Sequence, residues 1–403
     1  MASIVPQQKK TLAERLDLLD KIADQTNKKY GKTIMGRIGA NEEIMDKLRL
    51  KFVPTPCDDY NAATGGGFPK GRMTIVTGDE DSGKTGILLN TIAYNQKIDP
   101  EFVGGWLESE HSLKKEWLCD TFGIDPDRFF YVPLSSDIGT EKTLDIVEGL
   151  LAAGAVDMFC INSMRCLIPD KEREKGLSEA SVAEQARLNA KIMRKWTGIV
   201  AENDIAFVVV QHLTTAIGVM YGDTKVLAGG DAFKYWSSLT LRHSKLSVKD
   251  SDPVPRDEKG KPLGAKFGVR IMKNHCIPES PRQYAKFEYF VVFGEGVETI
   301  ATTVDKALEI GLLEKHGNWL WWMVDGEAKE KFSGRAAFRE FMKANPEAWE
   351  EYRNMLGETT FTIEDLSEEE VEEIEKEEKK LRKKKAETDK LLESIEAEEV
   401  APS

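Results

Sequence analysis

From about residue 50 onward, short apolar runs alternate with stretches whose apolar residues recur at helical spacing. The runs Met73–Thr77, Gly105–Glu108, Phe129–Val132, Met158–Asn162 and Ala206–Gln211 predict strands. The stretches Lys84–Lys97, Leu113–Phe122, Glu141–Ala153 and Val182–Glu202 predict the helices between them. Short apolar strands alternating with helices imply an α/β fold, with a mostly parallel sheet covered on both faces. Three further runs, Ser238–His243, Gly268–Lys273 and Phe287–Phe293, follow without intervening helical patterns and predict an antiparallel extension at one sheet edge. Between two of them, Asp250–Lys266 is rich in Pro, Gly and charge and reads as an exposed hairpin loop.

The pattern changes at both ends. Thr11 followed by Glu14 is a capping box, and Leu12, Leu16, Leu19 and Ile22 place an apolar stripe along the helix it starts. Residues 28–39 read as a linker, so residues 1–39 form a separate N-terminal element. After Gly296, helices are predicted over Thr302–Lys315, Arg335–Lys343 and Pro346–Leu356, with Trp319, Trp321, Trp322 and Trp349 as core material. The expected organisation is an N-terminal helix and linker (1–39), a core (40–296), a small C-terminal α/β domain (297–360) and a charged tail (361–403).

Composition narrows the class of protein. The 403 residues are 31% charged and 41% hydrophobic, and no apolar run reaches the roughly 20 residues a membrane span requires. The first ten residues lack an apolar signal core, so a cytoplasmic protein is expected, without membrane partners. Five cysteines without any Cys-x-x-Cys spacing argue for reduced thiols and against a zinc site. The net charge of −13 is unevenly spread: residues 364–399 hold 16 acidic and 8 basic side chains, leaving about −5 elsewhere. A mildly acidic body can still carry a basic channel, so charge alone does not exclude nucleic acid.

The first strand with chemistry attached runs Thr74-Ile-Val-Thr straight into Gly78-Asp79-Glu80-Asp81-Ser82-Gly83-Lys84-Thr85, and the helical stretch follows at once. Strand, Gly-x-x-x-x-Gly-Lys-Thr loop and helix start are the setting of a phosphate-binding loop. The glycines let successive backbone N–H groups turn inward, and the helix N-terminus adds unpaired donors. Lys84 is placed to reach the β- and γ-phosphates and Thr85 to ligate Mg2+, so a nucleoside triphosphate site is expected over residues 78–85.

Further stretches accompany this loop in order. They are Lys-Lys-Tyr-Gly-Lys-Thr-Ile-Met (28–35), Glu-Ser-Glu-His-Ser-Leu (108–113), Gly-Ala-Val-Asp (154–157) and Ile-Met-Arg-Lys (192–195). Ile-Gly-Val-Met-Tyr-Gly (217–222), Gly-Gly-Asp-Ala-Phe-Lys-Tyr (229–235), Met-Lys-Asn (272–274) and Phe-Gly-Glu-Gly (293–296) complete the set. Together with residues 71–85 they resemble the bacterial RecA family of DNA strand-exchange recombinases, over roughly residues 10–357.

The resemblance implies a RecA-like ATPase core and roles for particular residues. Glu110 matches the catalytic glutamate that activates water, and Trp117 falls where the family sets an aromatic against adenine. His212 stands where the family senses the γ-phosphate and relays it to the following DNA loop. Lys273 and His275 match two lysines that reach the neighbouring subunit's nucleotide, with Lys273 expected to carry most of that role. For DNA, the implied residues are the wedges Val182 and Ile217, the basic Arg187 and Arg194, and Gly229 and Gly230 of the second loop. The first loop corresponds to Lys171–Ser181 and the second to 213–230. Position 162 departs from the family, which ends the strand 158–162 in aspartate; here Asn162 stands. Mg2+ is then expected to be held by Thr85 and Asn162, more weakly and mainly through Thr85, with Glu108 or Asp157 compensating for the missing charge.

The resemblance thus implies an ATP- and Mg2+-dependent recombinase that forms a helical homopolymer on single-stranded DNA and pairs it with double-stranded DNA. At this stage a hexameric helicase or motor of the same fold stays open, as does a weakly hydrolysing DNA-coating filament protein.

Overall fold

The computed structural model describes residues 10–135, 137–173, 182–215, 225–227, 232–250, 252–277 and 285–356. Ile217, Gly229, Gly230, residues 174–181 of the first loop and the charged tail lie outside the described residues. The chain divides into two compact units, Met1–Lys51 and Phe52–Ser403.

In the first unit, helix α1 (Leu12–Tyr30) starts at the expected capping box, with Glu14 N–H on Thr11 Oγ1 and Thr11 N–H on Glu14 Oε2. The segment expected to be a spacer is instead tied back. Asn27 Oδ1 accepts from the N–H groups of Ile34 and Met35, and Arg37 forks onto Asp20. A second helix, α2 (Glu42–Leu48), follows from the Asn41 cap. Along α1 the stripe residues Leu12, Leu19 and Ile22 are exposed.

The second unit begins with the ribbon β1 (Phe52–Val53) and β2 (Phe68–Pro69), with α3 (Asp58–Thr64) between them. The sheet strands follow: β3 (Arg72–Gly78), β4 (Gly104–Glu108), β5 (Phe129–Pro133), β6 (Met158–Asn162), β7 (Ala206–Thr215) and β8 (Lys225–Leu227). Then come β9 (Leu239–Leu246), β10 (Gly264–Asn274), β11 (Lys286–Val292) and β12 (Gly296–Val297). The order across the sheet is β12-β11-β10-β9-β3-β7-β6-β4-β5, with β8 paired to β7. From β9 to β5 the pairings are parallel, and β10, β11 and β12 add antiparallel strands at the β9 side. Both the parallel core and the antiparallel extension match the sequence pattern.

Helices α4 (Lys84–Ile98), α5 (Thr140–Ala152) and α7 (Val182–Glu202) cover the sheet; α6 (Asp170–Arg173) and α8 (Ala232–Trp236) are short. Two hydrophobic clusters result, one per face. Along β7, Val208 and Val210 join the first with Ile87, Leu88 and Ile92 of α4, while Phe207 and Val209 join the second with Met193 and Trp196 of α7. This period of two explains why the central strands read as unbroken apolar runs. Leu113–Phe122 is not a regular helix: a single π-helical turn spans Trp117–Thr121.

Residues 300–356 have their own core around Trp322, Phe338 and Tyr352. The helix predicted over Thr302–Lys315 ends early. After α9 (Val304–Glu309), β13 (Leu313–His316) pairs with β14 (Trp319–Val324), which pairs with β15 (Glu327–Phe332). Cross-strand pairing has overridden the helical spacing there. Of the four tryptophans expected in the core only Trp322 is fully buried; Trp321 and Trp349 are partly buried, and Trp319 is 51% exposed. Alternation on β14 explains this, because Leu320 and Trp322 face the core while Trp319 and Trp321 face outward. Trp321 is covered instead by His316, stacked at 3.8 Å, and by Lys331 at 4.1 Å. Helices α10 (Arg335–Ala344) and α11 (Pro346–Leu356) close the fold. The buried Arg339 of α10 pairs with Glu298 and Glu295 beside β12, joining this subdomain to the sheet's edge.

Candidate nucleotide site

The carboxyl ends of β3, β4, β6 and β7 meet, which is where doubly wound sheets place ligands. Parallel register sets Gly78 of β3 beside His212 of β7 and His243 of β9, and sets Glu108 of β4 beside Asn162 of β6.

The loop after β3 is built by close packing. Gly78 has φ 154°, and a Cβ there would lie 2.3 Å from the His243 carbonyl oxygen. Gly83 has φ 81°, and a Cβ there would meet the Tyr289 hydroxyl at 2.6 Å. Only glycine fits either place. Ser82 is buried and donates to the Asp79 carbonyl at 2.7 Å, while Asp79, Glu80 and Asp81 face solvent. Thr85 is partly buried at the start of α4.

Lys84 is buried, and its Nζ donates to the carbonyls of Gly78 (3.1 Å) and Asp79 (2.6 Å) and to Ser82 Oγ (3.2 Å). These acceptors are all neutral, and among the described residues no carboxylate lies within ion-pair distance of it. Burial lowers its pKa, an effect opposed by the nearby charge of Glu110 and the loop acids. A buried ammonium with neutral partners is a strong demand for an anion, so the loop fits a polyphosphate.

Glu110 lies just past β4, and its Oε1 is 2.8 Å from His212 Nε2. That hydrogen bond is the main cause holding the Glu110 pKa below its ordinary value, with the Ser163 hydroxyl and the Lys84 charge contributing after it. The sequence-predicted base and sensor are therefore in direct contact. For a metal, Thr85 offers a hydroxyl oxygen; Asn162 offers its carbonyl oxygen, because its Nδ2 is turned to Glu108 Oε2 at 3.3 Å. Hard oxygen donors suit Mg2+. Asp157 cannot supply missing charge, since it pairs with Lys70 (2.9 Å) and accepts from Val103 N–H at the opposite end of β6.

The remaining predicted residues lie farther out. Trp117 is 51% exposed, leaving a ring face free to stack. Lys273 stands on β10 beside a register shift, and burial lowers its pKa. His275 is exposed just beyond β10, its N–H donating to the Ser238 carbonyl. Arg187 and Arg194 are exposed on α7, and Val182 begins that helix, its backbone alone being described.

Sequence reasoning missed the support on the β9 side. Tyr60, His243 and Tyr289 are buried together: His243 Nε2 lies 3.4 Å from the Tyr60 hydroxyl and Nδ1 3.4 Å from that of Tyr289. The Tyr289 hydroxyl in turn donates to the Gly83 carbonyl at 3.2 Å. Burial, aided by the Lys84 charge, pushes the His243 pKa down to about 3. The three residues are far apart in sequence, and an aromatic on a strand carries no signal beyond core packing.

The loop, its lysine and the opposing glutamate define a P-loop ATPase. The RecA N-terminal domain family matches residues 17–298. The chain is 31% identical to Protein RecA of Aquifex pyrophilus over 89% of this chain and 97% of that one. It is 29% identical to Protein RecA of Geobacter metallireducens over 86% and 95% of the two chains, and 30% identical to that of Heliobacterium modesticaldum over 85% and 92%. The chain belongs to the RecA family: it is a RecA-type recombinase and a DNA-dependent ATPase. No helix among the described residues is long and apolar enough to cross a membrane.

Proposed function

We propose that the chain polymerises on single-stranded DNA with ATP bound between subunits, pairs that strand with duplex DNA, and releases subunits on hydrolysis. The observation that carries the coupling is the 2.8 Å contact between Glu110 and His212. His212 lies on β7, which leads into the second DNA loop. While His212 holds Glu110, one carboxylate oxygen is engaged and the group is a weaker base toward water. A γ-phosphate beside Lys84 competes for His212, and Glu110 is then free to orient and deprotonate the attacking water. Lys84 exchanges its neutral carbonyl partners for phosphate oxygens, gaining charge-assisted hydrogen bonds.

Thr85 would hold Mg2+, which would supply charge neutralisation at the phosphates. Trp117 stacks on the base. Lys273, with His275 beside it, serves the nucleotide of the adjacent subunit, and the exposed α1 stripe docks on another copy. Arg187 and Arg194, seven apart on α7 and so on one face, contact DNA phosphates together with the two loops. Duplex capture falls to the C-terminal subdomain.

The test is ATP hydrolysis with and without single-stranded DNA, paired with negative-stain microscopy. Wild type gives DNA-stimulated hydrolysis and filaments; Glu110→Gln gives filaments that persist without turnover. Closed rings and unwinding, or hydrolysis undiminished in Glu110→Gln, would overturn the reading.

A further inference from the structure

Glu108, the last residue of β4, is completely buried, and among the described residues its side-chain oxygens meet hydrogen-bond donors. Its Oε2 accepts from Trp106 Nε1 (2.8 Å) and Asn162 Nδ2 (3.3 Å). Its Oε1 accepts from Glu110 N–H (3.1 Å), Ser112 N–H (3.3 Å) and Ser112 Oγ (3.3 Å). Five donors converging on two oxygens ask for a carboxylate. A glutamine in its place would aim an NH2 at other donors whichever way it turned.

We propose that Glu108 is the positioning residue of the Glu110 loop, and that Asn162 is present in this chain as a hydrogen-bond donor to Glu108. This rests on Glu110 being the catalytic base. Glu110 is then fixed at two places: its backbone N–H by Glu108 and its carboxylate by His212. Asn162 completes the set from the neighbouring strand, directly opposite Glu108 in the parallel register. An aspartate at 162 would put carboxylate against carboxylate at the distance where the amide now donates. The departure at this position is therefore paired with the glutamate across from it.

A second tie lowers the cost of simply removing the amide. Ser109 N–H donates to the Asn162 backbone carbonyl (2.8 Å), Ser109 Oγ to the Ser163 backbone carbonyl (2.7 Å), and Ser163 N–H to Ser109 Oγ (2.9 Å). These bonds survive in Asn162→Ala, so the loop stays attached to β6 by backbone, and only one of five donors is lost.

The experiment compares full-length Asn162→Ala, Asn162→Asp and Glu108→Gln at saturating Mg2+. Three quantities are read: kcat for DNA-stimulated ATP hydrolysis, the dissociation constant of a fluorescent ATP analogue, and hydrogen–deuterium exchange across residues 108–113 without nucleotide. Asn162→Asp is expected to lose ~10-fold or more in kcat, and Asn162→Ala only ~3-fold, both with near-normal nucleotide affinity. Exchange across 108–113 should accelerate in Asn162→Asp and Glu108→Gln. Asn162→Asp turning over as fast as wild type, or at lower Mg2+, would overturn the proposal and assign position 162 to the metal. Equal losses for Ala and Asp would also overturn it. If Glu108→Gln does not fold, the comparison at 162 decides alone. Glu110→Gln is run in parallel: normal hydrolysis there would sink the catalytic reading, while the exchange rates still judge Glu108.

Discussion

Two buried polar clusters flank the phosphate loop, and they are built on opposite principles. On the β4–β6 side, Glu108 collects five donors at 2.8–3.3 Å and holds a loop by its backbone N–H groups. On the β9–β11 side, Tyr60, His243 and Tyr289 form a neutral chain with longer contacts. Since Tyr289 gives its only proton to the Gly83 carbonyl, it must accept from His243 Nδ1–H, and His243 Nε2 must accept from Tyr60. The difference follows from the partner: converging N–H groups call for an anion, whereas a carbonyl close to the buried Lys84 calls for a neutral donor. A second cation there would oppose the lysine.

The comparison can be broken at several points. The largest expected effect comes from Glu110→Gln, which removes the group the charged cluster positions. A kcat loss of about 10²–10⁴ is expected with nucleotide binding retained, read by steady-state turnover and fluorescence titration. Arg339→Ala tests charge without proximity, since it strands Glu298 in the interior far from the loop in sequence. A stability loss of about 3–5 kcal/mol in urea unfolding is expected, with kcat unchanged in the folded fraction.

His243 gives the neutral chain a pH signature. Its folded pKa, about 3, lies below its unfolded value of 6.5, so its contribution is complete above pH 6.5 and is lost as pH falls toward 3. Between pH 7 and pH 5 this loss is about 2 kcal/mol. Urea midpoints of wild type should fall over that interval by more than those of His243→Phe; equal slopes would remove His243 as the cause. The smallest effect is Tyr289→Phe, which leaves the Gly83 carbonyl and His243 Nδ1 without their partner, at about 1 kcal/mol by thermal unfolding.

Much of the fold is legible in the sequence because the central strands are buried on both faces. Phe207–Val210 and Phe159–Ile161 could be apolar throughout, and the loop Gly78–Thr85 announces itself by spacing. What escapes is set by distant pairing. Residues 313–316 have helical spacing yet form a strand, because Trp319–Trp322 folds back onto them. Residues 32–37 look like spacer, yet the Asn27 side chain caps them. At the site, Glu110 and His212 were identifiable singly, but not their contact across 102 residues. Glu108 entered the sequence reading only as a stand-in for metal charge. Its donors come from β4, the following loop and β6, and no local pattern records such convergence.

The closeness of Gly78 to the His243 carbonyl has a mechanical consequence. With no room for even a methyl group between them, loop and strand β9 cannot slide past one another. A displacement of the loop must therefore be passed to β9 and, through its antiparallel ladder, to β10. At the end of that second strand stands Lys273, so two hydrogen-bonded strands join the phosphate loop to the lysine proposed to serve an adjacent subunit.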